Sequence, residues 1–317
     1  MRAKASSIYG SDAETGSGSR TFSVGGHALP VPRLVPGLYL VATPIGNLAD
    51  ITLRALETLA GADLIACEDT RITHRLTERY AIAAQLTPYH EHNAAAARPK
   101  ILEKLAQGAA VALVSDAGTP LISDPGFKLV REACAAGHAV VAIPGPSSVL
   151  TALSVAALPT DRFFFEGFLP SRQGARRTRL AELARIDASL VMFESGNRVQ
   201  DTLADLAEIM GGREAAICRE LTKLHEEVTR APIAELASSA DKLETRGEFV
   251  LVIGPPAAGS TVMAESELDE VLRASLSRDS VKDAVAHAVE LSGRPRREVY
   301  ARALELAKQV RGGHGED

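Results

Sequence analysis

The sequence of residues 115–126 is SDAGTPLISDPG, and it follows the apolar run from Ala109 to Val114. That run predicts a buried strand, and open α/β sheets bind ligands in the loops that follow the carboxyl ends of their strands. Gly118 and Gly126 allow a backbone to approach a ligand closely, and two prolines stiffen the loop. The stretch therefore favours an α/β sheet with a ligand-binding loop, with an ordinary turn as the alternative.

Apolar runs alternate with helical periodicity on both sides of this loop. Such alternation is typical of an α/β domain with a largely parallel sheet. The pattern predicts strands at 37–43, 64–67, 109–114, 138–143, 189–193, 215–219 and 249–253, and helices at 48–60, 98–106, 127–136, 147–158, 199–210, 265–276, 280–291 and 296–309.

A chain of 317 residues is long enough for two domains and a small third one. The first residues are rich in Ser, Gly and Ala and contain no apolar core of a signal peptide. No apolar run reaches the roughly 18 residues of a membrane span, so we expect a cytoplasmic protein without membrane contact. The expected organisation is a disordered tail (1–34), an N-terminal α/β domain (35–158), a C-terminal α/β domain (159–256) and a small helical domain (260–317).

Composition narrows the classes of function. The net charge is −5, so any nucleic-acid contact must come from a local basic patch. Trp is absent and aromatic residues make up only 4%, which argues against an extended stacking platform for single strands. The three cysteines are far apart in apolar segments, as expected of buried thiols in a reducing compartment.

Several common site motifs are missing from the sequence. It lacks G-x-G-x-x-G, G-x-x-x-x-G-K-[ST] and G-x-S-x-G at the strand ends, which argues against a dinucleotide-binding Rossmann site, a P-loop and a hydrolase elbow. The segment 89–93, YHEHN, holds two histidines and a glutamate but no third ligand at convincing spacing, so we expect a substrate-facing loop and no metal.

Two further segments have both a structural and a functional interpretation. Ser147 or Ser148 would cap a helix, and the free N–H groups of the same helix start could bind an anionic group. Four arginines within eight residues are a candidate phosphate-binding patch or, equally well, a solvated helix face: Arg172, Arg176, Arg177 and Arg179.

In combination and in order, five motifs closely resemble one family. They are TPIGNL (43–48), EDTR (68–71), SDAGTPLISDPG (115–126), PGPSS (144–148) and ELTK (220–223). They resemble the 16S rRNA (cytidine-2′-O)-methyltransferases of the tetrapyrrole-methylase superfamily. The resemblance covers about residues 36–256, and the C-terminal helices resemble more weakly that family's helix-turn-helix-like tail. It implies the two-domain tetrapyrrole-methylase-like fold of class III S-adenosylmethionine methyltransferases.

The resemblance also implies a cofactor, a substrate and a partner. The cofactor would be S-adenosyl-L-methionine, folded in the cleft between the domains. The substrate would be the ribose of a cytidine in 16S rRNA of the 30S subunit (position 1402 in standard rRNA numbering), and the enzyme would be a homodimer. The residues that match the family's cofactor contacts are Pro44, Asp116, Gly118, Thr119, Ser147, Ser148, Phe193, Glu194 and Leu221.

Methylation of a ribose 2′-hydroxyl requires that the hydroxyl lose its proton, so a base should lie near the attacking oxygen. The candidates are Glu68, Asp69, His90 and Lys223, and the sequence does not rank them. Arg71 and Asn93 are further candidates for RNA contact. Two alternatives remain at this point, a methyltransferase for a small tetrapyrrole and a non-catalytic ribosome-binding module. The arginine patch and the extra C-terminal domain argue against the former, and the polar loops at several strand ends argue against the latter.

Overall fold

The alternating apolar runs form two five-stranded sheets in the computed structural model, which describes residues 20–257, 265–292 and 294–312. A short antiparallel hairpin precedes the sheets, with β1 at Thr21–Val24 and β2 at His27–Pro30. Phe22 is only 2% exposed and packs in the core of the first sheet. The expectation of a disordered tail over 1–34 is therefore wrong for residues 20–34, and residues 1–19 lie outside the described residues.

The first sheet is entirely parallel, as the alternation of elements predicted. Its strand order is β5-β4-β6-β3-β7. Because helices cover both faces, its central strands are buried and are almost continuously apolar. The strands are β3 (Gly37–Val41), β4 (Leu64–Cys67), β5 (Leu86–Pro88), β6 (Ala110–Val114) and β7 (Val140–Ile143), and the helices are α1 (Leu53–Gly61), α2 (Thr70–Arg79), α3 (Ala94–Ala106) and α4 (Phe127–Ala135).

The next helix, α5 (Ser148–Val155), follows the first sheet in the chain but packs against the second. Its buried residues Ala152 and Leu153 contact the apolar face that includes Val191 and Val252. The sequence places this helix within the domain 35–158. That boundary stays a prediction, but the packing shows that α5 joins the two halves of the molecule.

The second sheet is mixed, with strand order β11-β10-β12-β9-β8. Only the β8–β9 pair is parallel. Three helices cover the face opposite α5. The strands are β8 (Phe163–Phe168), β9 (Ser189–Ser195), β10 (Glu214–Arg219), β11 (Glu227–Pro232) and β12 (Glu248–Ile253), and the helices are α6 (Gln173–Leu183), α7 (Val199–Met210) and α8 (Ile233–Ser238).

Three C-terminal helices form a separate apolar cluster: α9 (Glu265–Leu276), α10 (Val281–Ser292) and α11 (Arg296–Gly312). Leu272 and Val299 are fully buried in that cluster. Arg302 donates two hydrogen bonds to the Asp269 carboxylate, at 2.7 and 2.6 Å, and so ties the last helix to the first. No helix in the described ranges is both long and apolar enough to cross a bilayer.

Candidate functional site

A cleft of about 290 Å³ lies between the carboxyl-end loops of the first sheet and the strands β9 and β12 of the second. Such a cleft, with apolar walls and a few polar groups, is typical of small-molecule sites. Six of the predicted cofactor contacts line it: Gly118, Thr119, Ser147, Ser148, Phe193 and Glu194. Three predicted contacts lie outside its lining: Pro44, Asp116 and Leu221.

Hydrogen bonds hold the wall that the first sheet contributes. Thr43 and Gly118 exchange both backbone hydrogen bonds, at 2.9 and 3.0 Å. Gly118 has a φ of +77°, which disfavours residues with a side chain, and a Cβ there would lie 3.3 Å from Ile45 Cγ2. The Thr119 hydroxyl donates to the Pro146 carbonyl at 3.3 Å. The loops after β3, β6 and β7 therefore form one connected wall.

The N-terminus of α5 opens on the cleft. Ser147 is the N-cap, and its hydroxyl accepts a hydrogen bond from the Leu150 N–H at 3.4 Å. Ser147 and Ser148 also line the cleft. The first backbone N–H groups of a helix have no partner within the helix and attract anionic groups. The capping and anion-binding interpretations are therefore compatible here.

The loop after β10 lies beside the cleft and is bonded to Glu248, one of the residues that line it. Lys223 Nζ donates to Glu220 Oε1 at 2.7 Å and to Glu248 Oε2 at 3.0 Å. Burial alone would lower the pKa of Lys223, but the hydrogen bonds to Glu220 and Glu248 outweigh burial, so the pKa is raised overall. Lys223 therefore stays protonated at neutral pH and is a poor proton acceptor. Leu221 and Lys223 line a smaller adjoining cavity.

The turn after β3 contacts this second loop. A Cβ at Gly46 would clash with Lys223 Cγ, so these two segments approach each other at a position that only glycine permits. Ile45 lines the adjoining cavity together with Leu221. Ile45 and Gly46 thus contact the second half beside the cleft, and the role of Pro44 in cofactor binding stays a prediction.

Strained backbone is concentrated beside the cleft. Six non-glycine residues in the described chain have a positive φ. Four of them lie in the two loops just described: Leu121 (+74°), Ser123 (+64°), Glu220 (+50°) and Thr222 (+68°). Left-handed conformations are costly for residues with a Cβ and persist mainly where function or packing fixes them, which supports a functional role for these loops.

Three carboxylates meet between β4 and β6, where the chain connections leave the sheet in opposite directions. This is the position at which open α/β sheets usually bind ligands. Burial, and then the neighbouring carboxylates, raise the pKa of Glu68, Asp116 and Asp124. Asp116 Oδ1 accepts a hydrogen bond from the Asp69 N–H at 2.9 Å. Asp124 also lines the cleft, although the sequence did not single it out.

The other predicted bases are less well placed. Asp69 caps α2 and pairs with Arg71 at 2.6 Å. Its hydrogen bonds from the Arg71 side chain and backbone lower its pKa to about 2, so it is a weak base. His90 lies beyond the edge strand β5, outside the cleft lining, and its Nδ1 is buried without a hydrogen-bond partner. Asn93 closes the same loop by bonding to the His90 N–H and the Pro88 carbonyl.

The predicted arginine patch on α6 is largely an ion-pair network. Arg176 is 3% exposed and its Nε lies 2.6 Å from Asp205 Oδ2, so the prediction that it contacts RNA is wrong. Arg177 also pairs with Asp205, at 2.7 Å, and Arg179 pairs with Glu166 at 2.7 Å. Only Arg172, at the exposed start of the helix, lacks a carboxylate partner within the described residues.

The Glu194 side chain is held by hydrogen bonds from residues near it in the chain. The Glu194 carboxylate accepts hydrogen bonds from the Ser195 N–H at 2.8 Å and the Thr202 hydroxyl at 2.7 Å, so it organises the end of β9.

Among the residues that the structure describes, no group of three His, Cys, Asp or Glu side chains is arranged to hold a metal ion.

Comparison with known proteins identifies the family and the fold. Residues 37–237 match the family model of the Tetrapyrrole (Corrin/Porphyrin) Methylases, and residues 262–307 match the RsmI C-terminal HTH domain. The fold also resembles a solved uroporphyrin-III C-methyl transferase from Thermus thermophilus complexed with S-adenyl homocysteine. The TM-score is 0.51 at 19% identity, over 69% of this chain and 97% of that one. The chain thus belongs to the Tetrapyrrole (Corrin/Porphyrin) Methylases family and has that family's fold.

Closer relatives define the family within that class. The chain is 48% identical to the Ribosomal RNA small subunit methyltransferase I of Mesorhizobium japonicum, over 89% of this chain and 96% of the relative. It is 44% identical to the protein of that name from Escherichia coli O157:H7, over 84% and 94%. The chain therefore belongs to the family of ribosomal RNA small subunit methyltransferase I.

Proposed function

We propose that this protein uses S-adenosylmethionine to methylate the ribose 2′-oxygen of a cytidine in the 16S rRNA of the small ribosomal subunit. The observation that carries the proposal is the cleft between the two sheets. The family motifs SDAGTPLISDPG and PGPSS line it opposite Phe193 and Glu194 of β9, in a chain that is 44–48% identical to named small-subunit rRNA methyltransferases. The choice of cytidine and of the 2′-oxygen comes from the family resemblance of the motifs.

The cleft suits this cofactor chemically. Phe168, Phe193 and Phe249 provide apolar walls for an adenine ring. The N-terminus of α5 offers N–H groups to a carboxylate. When bound, S-adenosylmethionine supplies an electrophilic methyl group on a positively charged sulfur. Holding the two reacting groups in alignment can supply up to about 7–11 kcal/mol of such a barrier.

Asp124 is the best-placed acceptor for the hydroxyl proton. Three carboxylates line the cleft. Glu194 is held by Ser195 and Thr202, and Glu248 is paired with Lys223. Asp124 forms no ion pair within the described chain, and its raised pKa makes it a stronger base than an ordinary aspartate. The 2′-hydroxyl oxygen takes the methyl group while its proton passes to the Asp124 carboxylate, and S-adenosylhomocysteine leaves with the electron pair of the broken sulfur–methyl bond. Burial, and then the Asp116 carboxylate, raise the pKa of Asp124.

The proposal includes a cytoplasmic homodimer. Ribosomal RNA as the substrate implies the cytoplasm. Strand β8 lies at the edge of the second sheet and exposes Phe163 (44%) and Phe164 (36%). Exposed apolar residues at a sheet edge favour self-association. Sedimentation analysis of the full chain should give twice the monomer mass, and a monomer at micromolar concentration would contradict the dimer alone.

The test uses the full chain, labelled S-adenosylmethionine and 30S subunits from cells that lack this modification. We expect label in 2′-O-methylcytidine after digestion of the rRNA to nucleosides. Asp124→Asn should lower kcat by roughly 100-fold, the lower part of the range for general bases, because nearby carboxylates can partly replace it. Its affinity for S-adenosylhomocysteine should change little.

The exposed carboxylate Asp201 on α7 gives a matched control, so Asp201→Asn should behave as wild type. Label on a base carbon or nitrogen would reject 2′-O-methylation. Unchanged turnover by Asp124→Asn would reject only the role of Asp124 as the base.

A further inference from the structure

Helix α2 carries a row of exposed arginines, of which the sequence indicated only Arg71 as a candidate for RNA contact. Arg71, Arg75 and Arg79 recur every four residues and are all exposed. One α-helical turn is 3.6 residues and each residue rises 1.5 Å. The three side chains therefore form one stripe, about 12 Å long, with successive charges about 6 Å apart along the helix axis.

The orientation of the stripe is fixed by packing. Thr73, Leu76 and Thr77 are the buried residues of α2, and Leu76 packs into the core of the first sheet. The arginines lie on the other side of the helix and face solvent. The helix cannot rotate the stripe inward without exposing Leu76.

The charges of this stripe are less neutralised than those of α6. On α6, three arginines share the carboxylates of Asp205, Glu208, Glu166 and Glu182. On α2, Arg71 pairs with Asp69 but remains 86% exposed. Arg75 and Arg79 form no ion pair within the described part of the chain, and the Arg79 guanidinium lies over the Tyr80 ring, 5.9 Å from its centroid.

The stripe begins beside the acidic crevice, the place between β4 and β6 where the carboxylates of Glu68, Asp116 and Asp124 lie together. Strand β4 leads through Glu68 and Asp69 directly into α2, and the Asp69 N–H is bonded to Asp116. Polyanionic RNA is repelled by the crevice itself, because Glu68, Asp116 and Asp124 are gathered there. An RNA strand can bring one ribose to the cleft only if its phosphates are held outside the crevice. Helix α2 provides a cationic surface at that border.

From these observations we propose that the α2 stripe (Arg71, Arg75 and Arg79) binds the phosphodiester backbone of the RNA strand that carries the target ribose. The inference rests on the proposed function and specifies where its substrate docks. Guanidinium groups bind phosphate oxygens in pairs of hydrogen bonds. Arginines one helical turn apart suit successive phosphates of an extended strand, and this contact positions the RNA without selecting its sequence.

The test measures how the affinity for RNA depends on salt. The probe is a single-stranded oligoribonucleotide, with 30S subunits in a parallel series. In R75Q/R79Q the slope of log affinity against log salt should decrease in magnitude by about 1 to 2, as expected for the loss of two phosphate contacts. R75K/R79K keeps both charges and should retain most of the wild-type slope.

The matched control is K100Q/K104Q, which removes two exposed charges with the same spacing from α3. It should leave the slope unchanged. All variants should bind S-adenosylhomocysteine with wild-type affinity in calorimetry and melt at the wild-type temperature, because Arg75 and Arg79 take part in neither the cleft nor the core. Such a result would separate docking from folding and from cofactor binding.

An unchanged slope in R75Q/R79Q would overturn the inference, as would an equal decrease in K100Q/K104Q. Either result could occur while the wild-type protein still methylates 30S subunits, in which case the proposed function stands and only the docking surface is rejected. A wild-type protein that binds RNA through α2 but forms no 2′-O-methylcytidine would reject the proposed function and keep the docking surface.

Discussion

Replacing Asp205 tests the ion-pair network that replaces the predicted phosphate patch. Asp205 on α7 is fully buried and accepts hydrogen bonds from Arg176 Nε (2.6 Å), Arg177 Nε (2.7 Å) and Gln173 Nε2 (3.2 Å). In Asp205→Ala, Arg177 can still pair with Glu208. The Arg176 side chain, only 4% exposed, is left with an uncompensated charge in the protein interior.

The expected cost follows from that difference. Removing one partner of a buried ion pair costs about 3–5 kcal/mol, because the remaining charge stays desolvated. The exposed half of the network adds little, since surface pairs contribute about 0–1 kcal/mol. We therefore expect Asp205→Ala to lower the free energy of unfolding of the second half by about 3–5 kcal/mol. Asp205→Asn keeps an acceptor oxygen and should cost less.

The same residue makes stability depend on pH. Burial raises the pKa of Asp205, but the hydrogen bonds from Arg177, Arg176 and Gln173 outweigh it, so the pKa is lowered overall. Its contribution to stability is therefore complete above the unfolded value of about 3.9 and is lost as the pH falls through the lower folded value. Asp205→Ala should show a smaller loss of stability in that acidic range.

The assay is urea denaturation combined with hydrogen exchange of the β9 and β10 amides, which isolates the second half from the rest of the chain. A loss below about 1 kcal/mol for Asp205→Ala, the size of an exposed pair, would refute the argument. It would mean that Arg176 reaches solvent, and the arginine patch would again be a candidate for RNA contact.

Two further variants test the cleft and the C-terminal helices. Gly118→Ala should lower the free energy of unfolding by about 1–2 kcal/mol because of its left-handed backbone, and it should weaken binding of S-adenosylhomocysteine in calorimetry. The control is Gly137→Ala, which has a similar φ of +79° with open space around it and should bind normally. Equal affinities of the two variants would exclude the Gly118 loop from the site. Truncation after residue 257 should leave a folded core that binds S-adenosylhomocysteine, because the cluster around Leu272 belongs to the C-terminal helices alone. The truncated protein should methylate 30S subunits poorly. Normal methylation would rule out a docking role for these helices, and loss of folding would show that they support the core.

The sequence predicted those elements whose burial leaves a strong periodic pattern. Helix α7 was predicted at its observed bounds, 199–210, and the parallel sheet was predicted because its strands are buried on both faces. Helix α2 and strand β11 were missed. Both are largely exposed, and the polar sequence of α2 has few buried positions, so hydrophobic periodicity could not reveal them.

The sequence indicated two of the segments that line the cleft, the loop 115–126 and the start of α5. Their contact with a cofactor stays a prediction, and the errors concern side-chain partners. The burial of Arg176 depends on Asp205, which is 29 residues away in the chain, and sequence alone does not show that contact. The role proposed for Asp124 likewise depends on which carboxylates on the facing strands are already paired, and that is a property of the tertiary fold.

The position of α5 has a consequence for the protein during its own synthesis. The helix is complete at residue 155, but the strand β12 that it packs against ends at Ile253, about 100 residues later. At translation rates of about 5–20 residues per second, its apolar side stays without its partner strand for roughly 5–20 seconds. The apolar side of α5 therefore remains partly exposed on the nascent chain until β12 has been synthesised.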